Sequence, residues 1–264
     1  MIRVQDLAVT FNRGTPMETR ALQGIAVDIP AGQFVTVIGS NGAGKSSLLN
    51  ALAGDVAAGG GRIEIDSIDV TRWPATRRAG LMARVFQDPK AGSCEDLTIE
   101  ENLAIAEGRG RRRGFGLAID RRRRGDYRAR LSRLGLGLEG RLGDRMGLLS
   151  GGQRQAVSLL MATLRPMRIL LLDEHTAALD PKTAEFVLDL TRSIVAEQKL
   201  TTLMVTHSMR QALDCGDRTL MLHEGRVVFD VAGEARKGLD VPDLLALFAR
   251  HRGQQLADDS LLLQ

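Results

Sequence analysis

Phe34-Val35-Thr36-Val37-Ile38-Gly39-Ser40-Asn41-Gly42-Ala43-Gly44-Lys45-Ser46-Ser47-Leu48-Leu49-Asn50-Ala51-Leu52-Ala53-Gly54 is the stretch on which the fold turns. Its first five residues form a short apolar run, as expected of a strand buried on both faces. The residues from Ser46 onward read as a helix stopped by Gly54. Between strand and helix, Gly39 to Ser46 matches GxxxxGK[ST]. A triphosphate is a dense anion that must be wrapped without Cβ atoms in the way. Glycines let backbone N–H groups turn inward, and the start of the helix aims its positive end at the same place. Lys45 is placed to reach the β- and γ-phosphates, and the Ser46 hydroxyl to reach Mg²⁺. Ser40, Asn41, Ala43 and Ser47 complete the nucleotide-binding set. The stretch predicts binding and hydrolysis of ATP.

Outward from this point the chain is strand-rich. Ile2 to Thr10, Gly24 to Ile29 and Arg62 to Asp66 read as strands, with a turn at Pro30-Ala31-Gly32. From Pro89 to Pro166 the pattern becomes helical, and Thr98 with Glu101 forms a capping-box signature. Strands and helices then alternate: Ile169 to Asp173, the helix Pro181 to Gln198, and Thr202 to Thr206. A hairpin from Thr219 to Leu222 and Arg226 to Asp230 turns at Glu224-Gly225. A short helix is expected near Val241 and a loose tail from Gly253. The result is an α/β core interrupted by a helical insertion.

Two further segments carry chemistry. The apolar strand Ile169 to Leu172 ends in Asp173-Glu174. Acids at the end of a buried strand are costly unless a cation or a reaction uses them. Ligands of open α/β sheets sit at the carboxyl ends of strands. Asp173 therefore belongs near Mg²⁺, through a water, and Glu174 is next in line to polarise the attacking water. Leu149-Ser150-Gly151-Gly152-Gln153 precedes a helix from Gln155 to Leu164. Ser150 is a natural N-cap, and the two glycines leave a second anion-binding helix start. A plain cap accounts for Ser150 but not for the Gly-Gly-Gln that follows.

Composition narrows the classes. The 264 residues are 44% hydrophobic and 26% charged, within the range of ordinary globular proteins. One Trp and one Tyr argue against an aromatic platform for single-stranded nucleic acid. Cys94 and Cys215 have no metal-ligand or CxxC spacing and read as inert thiols. No secretory signal is read in Met1 to Ile29. The most apolar stretch, Leu159 to Leu172, is broken by Arg165, Pro166 and Arg168, short of a membrane span. The expectation is a cytosolic chain, or one attached to a membrane through partners. The basic stretch Arg109 to Arg130 is read first as a solvated face, then as an electrostatic aid near a membrane, and last as a nucleic-acid contact.

Together these motifs resemble the ATPase subunit of an ATP-binding-cassette (ABC) transporter, over about Ile2 to Phe248. The resemblance rests on Gly39 to Ser46, Gln87 in Val-Phe-Gln-Asp-Pro, the LSGGQ signature Leu149 to Gln153, Asp173-Glu174, Ala178-Leu179-Asp180 and His207, in the family's order. It implies a P-loop NTPase core of the ABC type, over residues 1–88 and 166–240 of a single domain spanning 1–250. An N-terminal antiparallel β-subdomain and an inserted helical subdomain, about 89–165, complete it. Residues 251–264 are expected to be a tail. It implies that Gln87 links the metal and water site to the helical region. Ser150, Gly151, Gly152 and Gln153 would contact ATP held by a second copy of the chain, paired head to tail. Asp180 would cross that interface, and His207 would touch the γ-phosphate. Phe11 is the candidate to stack on adenine, ahead of an insertion from Asn12 to Arg20.

The same resemblance implies integral-membrane permease subunits and a place on the cytoplasmic side of the inner membrane. DEHTAALDP, FQDPKAG and LTIEENL resemble the ATPases of amino-acid-type importers, which work with an extracytoplasmic solute-binding protein. An export or lipoprotein-release ATPase is the alternative, and a soluble ABC ATPase the third reading. Permease docking is expected near Ala91 to Asp96. His175 departs from many family members and is read as structural; His223 and His251 are read as surface residues. Nucleic acid is not expected as a partner.

Overall fold

The computed structural model describes residues 1–110, 118–247 and 249. Arg111 to Arg113, Phe248, His251 and the expected tail lie outside them. The chain begins with β1 (Ile2–Phe11), β2 (Thr19–Ile29) and β3 (Phe34–Gly39), then α1 (Lys45–Ala53). β4 (Gly60–Ile65), β5 (Ile68–Asp69), α2 (Ala75–Arg78) and β6 (Met82–Val85) follow. Next come α3 (Ile99–Glu107), α4 (Arg121–Ser132), α5 (Gly151–Thr163), β7 (Ile169–Asp173) and α6 (Pro181–Gln198). β8 (Thr201–Val205), α7 (Met209–Asp214), β9 (Arg218–His223), β10 (Arg226–Ala232) and α8 (Glu234–Lys237) lead to a helical segment at 241–247.

The strands form two sheets. One is antiparallel, in the order β2-β1-β4-β5; the other has the order β10-β9-β3-β8-β7-β6. In the second sheet β9, β3, β8, β7 and β6 run parallel, and only β10 is antiparallel. β3 and β8 lie in its middle, and every residue of β8 is buried. This is why Phe34 to Ile38 carries no alternation: both faces are covered. On one face, Val35, Val37, Leu171, Leu203 and Leu220 meet Leu48, Leu49 and Leu52 of α1, and beyond them Ile2, Val4 and Ile63 of the antiparallel sheet. α1 is thus sandwiched between the sheets. On the other face, Val85, Leu170, Leu172 and Met204 pack against Leu159 of α5 and Leu188 of α6. A separate core of Ile99, Leu103, Tyr127, Leu131, Leu138, Val157 and Leu160 joins α3, α4 and α5.

The helix ends follow the sequence closely. Thr98 and Glu101 form the expected capping box on α3. α6 has the expected bounds, with Asp180 as N-cap and Pro181 in the first turn. Gly54 ends α1 in the left-handed conformation. β6 was not expected. It is only four residues long, and Arg84 interrupts its apolar character. α5 starts at Gly151, earlier than the expected Gln155, because Ser150 caps it with Gln153.

The basic stretch is not a uniform solvated face. Arg109 is partly buried and donates to the Ala162 carbonyl at 3.0 Å; burial lowers its pKa. Arg124 pairs with Glu100 at 2.7 Å. Arg121, Arg122, Arg128 and Arg130 are exposed. His223, expected at the surface, is mostly covered, its side chain 12% exposed. Cys94 is exposed and Cys215 buried; both are free thiols.

The β9–β10 hairpin does more than reverse the chain. Gly225 N–H donates to the Ala43 carbonyl at 3.0 Å, and its own carbonyl accepts from Gln23 N at 2.9 Å. The Gln23 side chain reaches the Glu224 carbonyl at 2.9 Å. The hairpin tip therefore ties the loop between β3 and α1 to β2. Gly225 has φ +73°, and a Cβ there would sit 2.7 Å from the Ala21 carbonyl oxygen. Gly225→Ala is expected to cost about 1–3 kcal/mol, through left-handed strain and that clash. Thermal unfolding should fall by roughly 2–4 °C per kcal/mol lost. An unchanged transition would contradict the docking.

Candidate active site

Parallel strands end on the same side of a sheet. β3, β6, β7 and β8 therefore deliver their carboxyl ends to one edge, and each is followed by a residue singled out in the sequence. Gly39 to Ser46 follow β3, Gln87 follows β6, Asp173 and Glu174 end β7, and His207 follows β8.

The loop after β3 is shaped by close approach. Gly44 is the N-cap of α1 at φ +99°, and a Cβ on it would lie 2.5 Å from the Ala21 carbonyl oxygen. No side chain caps α1, and its first turn has no acid. Its leading N–H groups are thus left for an external anion. Lys45 is buried, and its Nζ donates to the carbonyls of Gly39 at 2.8 Å and Ser40 at 3.1 Å. It folds back to brace the loop from which a phosphate would draw it. Ser40, Asn41, Gly42 and Ser46 are exposed, Gly39 and Ser47 half-buried, and Ala43 buried.

The acids take different roles in the geometry. Asp173 Oδ2 accepts from Arg84 Nη2 at 2.5 Å, with both side chains 13% exposed. Glu174 has φ +43°, a left-handed conformation unusual for a residue with a Cβ. Its N–H is held by the Val205 carbonyl at 2.9 Å. This turn brings Glu174 Oε2 within 3.6 Å of His207 Nδ1. A carboxylate beside an imidazole at a sheet edge can orient and deprotonate a water. His175 points elsewhere. It is buried, its Nε2 lies 3.0 Å from Thr191 Oγ1, and burial pushes its pKa down to about 4. It is a neutral core side chain, as expected.

The remaining residues lie further along the surface. Gln87 is exposed at the mouth of the edge. Phe11, at the end of β1, is 36% exposed rather than part of the core, so its ring is free to meet a flat ligand. The chain beyond it is ordered by its own bonds, such as Thr15 Oγ1 to the Asn12 carbonyl at 2.7 Å. Ser150 Oγ accepts from Gln153 N at 3.3 Å, and Gln153 Oε1 from Ser150 N at 3.1 Å. This box explains Gln153. Gly152 is buried, and a Cβ there would meet Thr183 Cγ2 at 2.1 Å, so it lets α5 approach α6. Gly151 stays exposed. Among the described residues, no hydrogen bond joins 150–153 to 39–47. Asp180 is exposed and caps α6; its hydrogen bonds to Thr183, side chain first, hold its carboxyl below the usual range.

Three residues were missed. Arg84 also donates to Asn50 Oδ1 at 2.7 Å and to Asp55 Oδ2 at 3.0 Å. Buried Gln155 donates to the Phe86 carbonyl at 3.1 Å, tying α5 to the segment that carries Gln87. Arg154 pairs with Glu95 at 2.5 Å and reaches the Gly147 carbonyl at 3.0 Å. The only signal for Arg84 was a charge inside an apolar strand.

Comparison with known proteins gives this geometry its family. Residues 22–177 match the ABC transporter family. The chain belongs to that family and is an ATP-binding ATPase of it. It is 40% identical over 248 residues to a tyrosine transport ATP-binding protein of Clostridioides difficile, covering 94% of this chain and 98% of that one. It is 36% identical to the macrolide export ATP-binding/permease protein MacB of Brucella melitensis, covering 87% of this chain and 34% of that longer protein. A dimeric structure of the ATP-binding cassette MJ0796, in a post-hydrolysis state with ADP and phosphate, superposes with a TM-score of 0.75. That match has 27% identity and covers 88% of this chain and 98% of the cassette.

The buried histidine yields a pH prediction. Its folded pKa, near 4, lies below the ordinary value of 6.5. Between those values the unfolded chain takes up a proton that the folded chain refuses, so stability falls as pH drops through that window. Between about pH 7.5 and about pH 5 the loss from this group is about 2 kcal/mol. His175→Gln should remove that part of the slope in urea unfolding. A variant with the wild-type slope would contradict the assignment.

Proposed function

We propose that the chain is the motor subunit of a transporter, in which two copies pair head to tail and drive a separate membrane permease. The observation that carries the reading is the division of the site. The β3 loop, Asp173, Glu174 and His207 share one sheet edge, while the exposed start of α5 is bonded to none of the loop. A nucleotide held at the edge would be closed over by Ser150 and Gly151 of the second copy, with Asp180 at the same junction. The dimeric cassette with ADP and phosphate supports that pairing.

Within one half-site, Lys45 and the first N–H groups of α1 would bind the β- and γ-phosphates, and Phe11 the adenine. Ser46, Gln87 and Asp173 offer a hydroxyl, an amide oxygen and a carboxylate. Such hard oxygen donors suit Mg²⁺, which keeps several waters and takes few protein ligands. Among the described residues there is no cluster of three or more His, Cys, Asp or Glu that would instead make a closed metal cage. Bound there, Mg²⁺ would neutralise charge developing on the phosphates. Glu174 would take the proton of the attacking water, oriented by His207.

The permease would dock in a groove of about 350 Å³ between the sheet and the helical region. Phe86, Pro89, Gly92, Ile105 and Met161 line it, and Ile105 is 54% exposed. Of its lining, Gly92 belongs to the segment Ala91 to Asp96 where docking was expected. Among the described residues no helix is long and apolar enough to cross a membrane. The 40% identical relative is named for tyrosine transport, which supports an amino-acid-type solute; import, with a solute-binding protein outside and this subunit on the cytoplasmic face, is the direction we propose.

Glu174→Gln should keep ATP affinity, stop turnover and accumulate a dimer with ATP on size exclusion. Hydrolysis at the wild-type rate by that variant would sink the base assignment, and a monomer under those conditions the pairing. Lys45→Ala should weaken ATP binding by at least about tenfold, the scale of a lost charge-assisted contact. Unchanged affinity would remove the loop from the site.

A further inference from the structure

We propose that Arg84 is a positioning residue for Asp173: it holds one oxygen of that carboxylate, offsets its charge, and so limits how tightly the site takes a divalent cation. The proposal rests on the reading of Asp173 as the cation-facing acid.

Arg84 stands in a four-residue strand whose other members are buried and apolar. A charge there is costly unless it is paired. Its partners explain its presence. Nη2 takes Asp173 Oδ2 at 2.5 Å, and Nη1 takes Asn50 Oδ1 at 2.7 Å and Asp55 Oδ2 at 3.0 Å. The guanidinium carbon lies 4.8 Å from the centre of the Phe86 ring. One planar fork thus joins the end of β7 to α1 and to the turn after α1, which a lysine could not do. Asp173 is left with Oδ1 free of protein hydrogen bonds among the described residues. A carboxylate already half-committed to a cation of the protein attracts a second cation less strongly.

A merely structural ion pair and the proposed function predict opposite signs. If the pair only braces the fold, removing Arg84 loosens the site and weakens cation binding. If Arg84 restrains Asp173, removing it strengthens cation binding while turnover falls, because the acid is no longer held in place.

The test is ADP binding to the full chain, titrated with Mg²⁺ from an EDTA baseline. It compares wild type with Arg84→Met, Arg84→Gln and Arg84→Lys. In Arg84→Met and Arg84→Gln the half-effective Mg²⁺ concentration should fall about fivefold, the scale of one unit charge acting over several ångströms through a hydrated site. ADP affinity in EDTA should stay at the wild-type value. Arg84→Lys, which keeps the charge, should stay within about twofold of wild type. A half-effective concentration that is unchanged or higher in the neutral variants overturns the proposal, as does a lysine variant that behaves like methionine. Should Arg84→Met fail to fold by circular dichroism, Arg84→Gln decides, since it keeps an amide donor for Asp173. Wild-type ADP binding that ignores Mg²⁺ would instead bring down the reading of Asp173, and this proposal with it.

Discussion

The alignment of β3, β6, β7 and β8 is the constraint from which the rest follows. No two of their terminal residues are near in sequence, yet parallel pairing brings Gly39, Val85, Asp173 and Val205 to one edge. The register is equally demanding. Ile169 and Leu171 face α1, whereas Leu170 and Leu172 face α5 and α6. Asp173 continues the α1 side. A slip of one residue would turn it into the apolar layer beneath α5 and α6 and expose Leu172 in its place. Core packing on both faces of β7 is therefore what aims the carboxylate.

Chemistry at that edge is set up against local backbone preference. Glu174 sits at φ +43°, a conformation that costs a residue with a Cβ on the order of 1 kcal/mol or more. The Val205 carbonyl holds it there, and the consequence is the approach of Glu174 to His207. The loop after β3 is held in a related way. Gly44 is pressed against Ala21, and the Gly225 hairpin bonds to Ala43 and Gln23. The antiparallel sheet is thus not an appendage. It supplies the wall against which the loop between β3 and α1 is shaped.

Local chemistry was legible in the sequence and long-range chemistry was not. Gly39 to Ser46, the Thr98 and Ser150 caps and the acids closing β7 could be read because each signal lies within a few residues of its effect. Arg84 could not, because its partners Asn50, Asp55 and Asp173 lie 34, 29 and 89 positions away. The same holds for Gln155, whose partner is the Phe86 carbonyl, and for the hairpin tip, whose partners lie about two hundred residues earlier. β6 was hidden by brevity and by that one arginine. The Gly-Gly-Gln after Ser150 was visible but only half understood. Gln153 closes a capping box, and Gly152 makes room for Thr183, so two of its residues have tasks inside the chain.

That last point bears on how a second copy would meet a nucleotide. Ser150 and Gln153 already spend side-chain bonds on each other, and Gly152 is buried against α6. What α5 still offers is exposed backbone at Gly151, with no acid in the first turn to oppose the positive end of its dipole. A phosphate closed over by this helix would be held mainly by N–H groups and the dipole, and less by side chains. Substitutions at Ser150 or Gln153 would then act first by loosening the start of α5. Because Gln155 and Arg154 fasten the same helix to Phe86 and Glu95, such loosening would reach the groove as well as the nucleotide. Two adjacent side chains, Arg154 and Gln155, thus fasten the start of α5 to Glu95 and to the Phe86 carbonyl.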